Sequence, residues 1–421
     1  MVGAGPCGSA LALQLVRQGI RVDLVEALNP HQHLARGEGL MPSGLEALAR
    51  LGVGEALAGV ERRPLQSWDF WLEGRPLFAV AEPMGAGPAC SLIDTPGLLE
   101  ALLGEARRHA ALRWHPGRTV TGLRWGASMA EAITPGQHGQ PRVTGVQFDD
   151  GTCLHADLVL ACDGRRSTLR QLAGLELRAS DSEVSVLWFV LEGEATAGVE
   201  RWLAGRFVTL VGEGGSLALF SPAGGGLRLG WLVDHAAEKP GGAGACSDPP
   251  PWPERWARIS PADLALLWRS LSTAAVGDPV AVSLRPGLTQ RWQRGGLLLL
   301  GDAAHPMSPL RAQGLNMALR DAVVAAAALL PLLQPGVWAG LAAEERQRRL
   351  DAALASVERQ RTPEILRIQA LQQEELNRAL LLRRNPWLRR LLAATAAWSG
   401  PLLSRRWQAG QPTLRGGLPL G

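Results

Sequence analysis

An α/β fold, with a largely parallel sheet wrapped by helices and a second, antiparallel sheet beside it, is what the chain predicts. Three observations predict it. First, the glycine turn Gly3-Ala4-Gly5-Pro6-Cys7-Gly8 opens an apolar helical stretch over residues 9–18 that stops at Gly19. The apolar run 20–25 then ends at Glu26, completing the strand, glycine turn, helix, strand and acid of a dinucleotide-binding βαβ unit. Second, residues 154–162 form a continuous apolar run, the pattern of a strand buried on both faces in the middle of a parallel sheet. Third, residues 184–191, 207–211, 216–220 and 227–233 are strand-like and punctuated by glycine, which predicts an antiparallel sheet.

Taken in order, only Met1 and Val2 precede Gly3, whereas roughly five strand residues ordinarily place such a loop. The expectation is either a start assigned too late or a truncated unit, and in both cases a chain that holds its cofactor poorly as written. Residues 45–51 with Gly52 behind them read as a helix with a glycine C-cap. Residues 68–72, the Glu73-Gly74 turn and residues 76–80 read as a hairpin. Residues 96–109 carry helical spacing, 238–253 are a Gly- and Pro-rich loop, 315–333 an Ala-rich helix and 342–382 a helix of mixed charge. The remaining tail sets Arg pairs at 383–384, 389–390 and 405–406 among leucines and Trp387, Trp398 and Trp407.

A chain of 421 residues, 46% hydrophobic and 19% charged, has the apolar material for two packed globular domains. No basic stretch followed by an apolar run opens it, as a secretory signal would. The longest apolar runs, 322–333 and 391–397, fall short of the ~20 residues that span a bilayer; the expected location is cytoplasmic. Five cysteines with no Cys-x-x-Cys pair argue against a disulfide framework or a zinc site. The net charge of +4 would suit nucleic acid, but residues 376–421 hold eight arginines and no Asp or Glu. That +8 leaves −4 for residues 1–375, so no nucleic-acid partner is expected. The basic, Trp-bearing tail 376–421 reads either as a helical cap over the core or as a peripheral contact with an anionic membrane.

Two further motifs carry chemistry. Cys162-Asp163-Gly164-Arg165-Arg166-Ser167 follows the buried run 154–162, and Gly301-Asp302-Ala303-Ala304-His305-Pro306 follows the apolar run 297–300. A strand ending in Gly-Asp presents one carboxylate at the sheet edge, where it can accept hydrogen bonds from a chain of hydroxyls. The stretch Pro309-Leu310-Arg311-Ala312-Gln313-Gly314-Leu315-Asn316 then opens a helix whose free N–H groups suit an electron-rich ring oxygen.

These three motifs, in this order, resemble those of the FAD-dependent aromatic hydroxylases, single-component flavoprotein monooxygenases of the para-hydroxybenzoate hydroxylase type. The resemblance covers most of residues 1–335. It implies a Rossmann-like FAD-binding domain built discontinuously from residues 1–67, 97–174 and 291–335, a smaller antiparallel substrate domain from 68–96 and 175–290, and a C-terminal helical region, 336–421. Gly3, Ala4, Gly5 and Gly8 would form the pyrophosphate loop, and Glu26 would accept from the adenosine ribose. Arg36 would face the flavin and the nicotinamide donor, or is simply solvated. Asp163 and Gly164 would organise the pyrophosphate and the transient NAD(P)H site, with Ser167 and Arg170 continuing that motif. Gly301 and Asp302 would hold the ribityl hydroxyls, Pro309 would lie at the reactive edge of the ring, and Gly314, Leu315 and Asn316 would face the pyrimidine oxygens.

The chain departs from the family pattern at Arg311-Ala312, where small residues are usual. Arg311 is either a salt-bridge partner for Asp321 or an anchor for an anionic substrate or donor, and with Pro309 it is the catalytic candidate. Residues 92–96 lack the arginine or glutamine many relatives carry, and the absence of tyrosine excludes a phenolic proton relay. The resemblance implies NAD(P)H- and O2-dependent hydroxylation of an aromatic or otherwise electron-rich apolar substrate through a C4a-hydroperoxyflavin. Alternatives on the same fold are a flavin-dependent reductase or dehydrogenase, and a non-catalytic FAD-binding carrier or sensor.

Overall fold

A computed structural model describes residues 1–28, 38–85, 87–126, 141–181, 183–233, 251–334 and 336–420. The short first strand contributes a single residue: Val2 bridges in parallel to both Val25 and Ala161. Its N–H donates to Leu160 O at 2.9 Å, Cys162 N–H donates to Val2 O at 2.7 Å, and Gly3 N–H donates to Val25 O at 2.8 Å. Two residues therefore suffice to link Val22–Glu26 to Val159–Ala161. The parallel sheet runs Leu112–Pro116, Val22–Glu26, Val2, Val159–Ala161 and Leu297–Leu299, with Gln293–Arg294 antiparallel at its edge. Because these strands are parallel, Gly3, Glu26, Asp163 and Gly301 all emerge at the same edge, the carboxyl edge at which open α/β sheets bind their ligands.

The apolar run 154–162 is not one strand. Cys153–His155 pairs antiparallel with Arg142–Phe148 in a separate three-stranded sheet, and only Val159–Ala161 enters the parallel one. His155 and Asp157 are exposed while Val159 to Ala161 are buried, so the polar pair marks where the chain changes sheets. Helices Pro6–Arg17, Thr95–Arg107 and Gln313–Leu333 pack against the parallel sheet; Leu11, Leu98 and Leu319 are among their fully buried side chains. The segment Leu310–Leu333 is long and apolar enough to cross a membrane, contrary to the expectation from apolar runs, which end at the charged pair Arg320-Asp321. Both of those residues are fully buried in this fold.

The second sheet has seven strands, in the order Val280–Leu284, Val184–Leu191, Leu227–Val233, Gly215–Phe220, Phe207–Gly212, Ser67–Leu72, Arg75–Ala81. All neighbours are antiparallel except Phe207–Gly212 with Ser67–Leu72. Helices Trp252–Ile259 and Ala262–Arg269 cover one face, burying Trp256 and Trp268 against Phe189 and Trp231. Most of the expected loop 238–253 lies outside the described residues, and its last two residues already belong to the first of these helices. A single helix, Ala343–Arg384, runs through Pro363, followed by Pro386–Ala394, Ala396–Ala409 and Gln411–Gly416. Pro386–Ala394 and Ala396–Ala409 pack on the seven-stranded sheet, with Trp407 among Trp68, Phe70 and Phe78, while Gln411–Gly416 packs on Ala343–Arg384.

Candidate active site

Three glycines shape the first loop for three different reasons. A Cβ on Gly3 would sit 2.2 Å from Cys162 O, and one on Gly8 would sit 1.9 Å from Gly3 O, so both positions are closed by backbone. A Cβ on Gly5 would meet nothing within 4 Å. Gly5 is instead the residue before helix Pro6–Arg17 and lines a cavity of about 1060 Å³. Open space in front of a helix N-terminus, kept clear by a glycine, is the arrangement that admits a pyrophosphate. Glu26 is buried, and its carboxylate accepts from Ala4 N–H at 2.8 Å and Leu28 N–H at 3.0 Å, which ties the loop to the second strand.

Asp163 behaves in the same way. Its carboxylate accepts from Ser167 Oγ at 2.6 Å and Leu169 N–H at 3.1 Å, bracing the turn that puts Gly164 and Arg165 on the cavity wall. Burial pushes its carboxyl above the usual range, against the pull of the Ser167 hydrogen bond. Arg170, from the same motif, donates to Ala303 O at 2.8 Å and so links the two cofactor-side turns. At the floor of the cavity the Cys7 thiol is raised well above its usual range by its hydrogen bond with Cys162 and by burial, which keeps it neutral.

Asp302 projects into the cavity, with Arg165 Nε at 3.8 Å. Burial pushes its carboxyl up, and the nearby His305 and Arg165 charges oppose that. The turn that aims it is held from behind. Asp321, fully buried on helix Gln313–Leu333, accepts from Gly301 N–H at 2.8 Å, contacts His305 Nε2 at 2.7 Å and accepts from Arg361 Nε at 2.7 Å. Burial alone would raise the Asp321 carboxyl, but the charges and hydrogen bonds of His305 and Arg361 overcome it and hold it at about 2. Arg361 also donates to Glu364, which pairs with Arg320 at 2.9 Å. His305 thus lies behind the site as a structural partner of Asp321.

Gly301, Pro309, Arg311, Gly314 and Leu315 line the cavity, whereas Asn316 does not. The Asn316 carboxamide accepts from Met41 N–H at 2.8 Å and donates to Gly39 O at 3.1 Å and Ala312 O at 2.8 Å, clamping strand Gly39–Leu40 to the start of the helix. Arg311 does not reach Asp321, whose partners are those just described. Its guanidinium lies 4.0 Å over the Trp68 ring and 4.7 Å from the Trp407 ring centroid, donates to Gln411 Oε1 and stands 3.5 Å from Glu375. Arg311 and Ala312 both have positive φ, 63° and 49°. A left-handed backbone at two successive non-glycine residues explains why small residues are the usual choice here. Arg36 lies outside the described residues.

Two contributors to the wall carried no motif. Glu38 is 2% exposed, pairs with Arg228 at 3.0 Å, and lines the cavity with its Oε2 lacking a hydrogen-bond partner among the described residues. Burial raises its carboxyl against the Arg228 charge. Trp407 arrives from the C-terminal tail, more than 300 residues from the Trp68 it faces. No local pattern could have found either, because each is defined by a distant partner. The other half of the cavity is apolar: Trp68, Phe70, Phe78, Trp188, Phe207 and Phe220 lie on the seven-stranded sheet.

A carboxyl-edge glycine loop, a Gly-Asp turn and an adjoining aromatic chamber border one cavity, the arrangement of a dinucleotide-binding protein. Comparison with known proteins identifies the cofactor. Residues 1–359 match the family model described as FAD binding domain. The chain is 32% identical over 382 residues to 6-methylpretetramide 4-monooxygenase of Streptomyces rimosus, covering 88% of this chain and 82% of that one. It is 27% identical to salicylate hydroxylase of Pseudomonas putida, covering 76% and 75%. Its fold matches that of P. aeruginosa PqsL, crystallised with 2-aminobenzoylacetate, with a TM-score of 0.70 at 20% identity, over 93% of this chain and 97% of that one. The chain belongs to the FAD-binding family of aromatic hydroxylases and is an FAD-dependent monooxygenase.

Proposed function

We propose that this enzyme takes electrons from NAD(P)H and inserts one atom of O2 into an aromatic or otherwise electron-rich apolar substrate. The observation that carries the reading is the continuity of one cavity from Gly5, Gly164 and Asp302 to the aromatic side chains of the seven-stranded sheet. Its ~1060 Å³ exceeds the upper end of ordinary small-molecule pockets, about 1,000 Å³, leaving room for a guest beside a cofactor.

The residues present fit FAD. In this reading residues 1–67, 97–174 and 291–335 hold it, 68–96 and 175–290 face the substrate, and 336–421 close the cavity. The open space before Gly5 and the first turn of Pro6–Arg17 receive the pyrophosphate, and Arg165 is placed to offset its charge. Asp302 accepts hydrogen bonds from the ribityl hydroxyls. Backbone N–H groups at Gly314 and Leu315 offset negative charge on the pyrimidine side of the ring, and Pro309 borders the reactive edge without adding a competing donor. FAD, when bound, supplies the redox and oxygen chemistry. The chain orients the guest against it and keeps water out, the latter through Trp68, Trp407 and the aromatic wall. Arg311, fixed between the two indoles with its charge offset by Glu375 at 3.5 Å, adds guanidinium donors to that chamber. This supports a guest carrying an electron-rich oxygen.

The test is an absorbance spectrum of the purified protein, followed by NAD(P)H consumption across a panel of phenolic and polycyclic substrates in 18O2. Flavin absorbance with labelled oxygen in the product is the expected result. Substrate-dependent NAD(P)H oxidation with unlabelled, reduced or desaturated product would make the enzyme a reductase or dehydrogenase. Bound flavin without any oxidation across the panel would make it a carrier or sensor.

A further inference from the structure

We propose that the outward face of helices Pro386–Ala394 and Ala396–Ala409 is a docking surface for an anionic lipid bilayer. Each helix has two opposed faces. Arg389 and Ala393 on the first, and Gly400 and Trp407 on the second, are buried against the seven-stranded sheet; a Cβ on Gly400 would lie 2.2 Å from Leu77 O. The other face exposes Trp387 (72%), Leu391 (42%), Trp398 (84%) and Leu402 (67%). Residues 387 and 391, and again 398 and 402, are four apart and so stand on one side of their helix. Exposed apolar residues scattered singly are ordinary, but a contiguous group marks an interaction surface.

The charges on this face name the partner. The arginines of the tail are sorted: Arg389 turns inward to Glu73 and Arg415 to Glu82, while Arg390 and Arg405 remain exposed beside the tryptophans. Among the described residues the acid paired with Arg390 is Glu213, at 3.7 Å with both side chains largely in solvent, a contact worth little. No acid occurs in residues 376–421. A second copy presenting the same face would therefore oppose arginine to arginine, whereas lipid phosphates complement them and the indoles seat at the headgroup boundary. The inner sides of these helices, through Leu388, Leu392, Leu403 and Trp407, wall the cavity. A lipid-dissolved substrate would reach it across one helical layer; that consequence rests on the function proposed above, while the docking itself does not.

The experiment is co-sedimentation of the FAD-loaded full chain with phosphatidylcholine vesicles with and without phosphatidylglycerol, which reads docking without turnover. We expect pelleting with the anionic vesicles only, weakening as salt rises. Brominated lipid should quench part of the tryptophan fluorescence. The variant Trp387→Ser/Trp398→Ser/Leu402→Ser should lose both signals, and Arg390→Ser/Arg405→Ser should bind about 25-fold more weakly, about fivefold for each arginine. All five side chains are exposed, so the near-ultraviolet circular dichroism of both variants should match the parent. A parent chain that stays in the supernatant with anionic vesicles overturns the proposal. So does an apolar triple variant that pellets like the parent, or one whose only change is from dimer to monomer.

Discussion

Replacing Asp321 by Asn should both loosen the fold and release the cofactor, although residue 321 does not line the cavity. Its two carboxylate oxygens receive three contacts: Gly301 N–H and His305 on one, Arg361 on the other. An asparagine offers one oxygen and one donating amide. Whichever way it turns, an N–H donor of Gly301 or Arg361 faces another donor, and a fully buried guanidinium loses one of its two carboxylate partners, keeping only Glu364, which it shares with Arg320. Breaking a buried ion pair from one side costs about 3–5 kcal/mol, of which an orphaned backbone N–H accounts for roughly 1–3 kcal/mol. Because Gly301 N–H anchors the turn that aims Asp302, FAD affinity should fall by at least about tenfold, or ~1.4 kcal/mol. Guanidinium denaturation followed by tryptophan fluorescence, with FAD titration in parallel, reads both. A loss under about 1 kcal/mol with unchanged flavin affinity would refute the argument. The same residue sets an acid limb. Its carboxyl sits at about 2 in the folded chain against about 3.9 unfolded. The depressed value means stability that is fully present above ~3.9 and lost as pH falls toward 2, amounting to about 2–3 kcal/mol. Asp321→Asn should flatten that part of the stability profile, and an unaltered slope would show that other carboxyls control it.

Gly5→Ala and Gly8→Ala should separate ligand space from protein space. The first meets no protein atom and should leave unfolding within about 0.5 kcal/mol of the parent while weakening FAD binding, as measured by flavin titration; the second meets Gly3 O at 1.9 Å and should lose stability outright. Equal melting shifts for the two would contradict the open space in front of Gly5. At Arg311, both Gly and Ala remove the contacts with Trp68, Trp407, Gln411 and Glu375, but only glycine accepts a φ of 63° without penalty. Arg311→Gly should therefore be the more stable by about 1 kcal/mol in denaturant titrations, and identical midpoints would place that strain elsewhere.

Much of this protein is decided within a few residues of chain. The first loop, the hairpin turning at Glu73-Gly74, the Gly-Asp turn and the long helices were legible because glycine spacing, hydrophobic period and strand-end carboxylates are local properties. The one-residue first strand is paired on both sides, Val2 bridging to Val25 and to Ala161. What the chain could not announce is where a long side chain ends. Arg311 could be assigned to Asp321 or to a ligand from sequence, yet it lies between Trp68 and Trp407, and Asp321 belongs to Arg361. The paired arginines of the tail look alike in sequence and part company in the fold, Arg389 inward to Glu73 and Arg390 outward. The run 154–162 reads as one strand and is divided between two sheets. Local backbone geometry is set by steric and hydrogen-bonding rules acting over one or two turns of chain. The partner of a buried charge or the wall of a cavity depends instead on which distant segments the core brings within a few ångströms, and that is decided only when the whole chain packs.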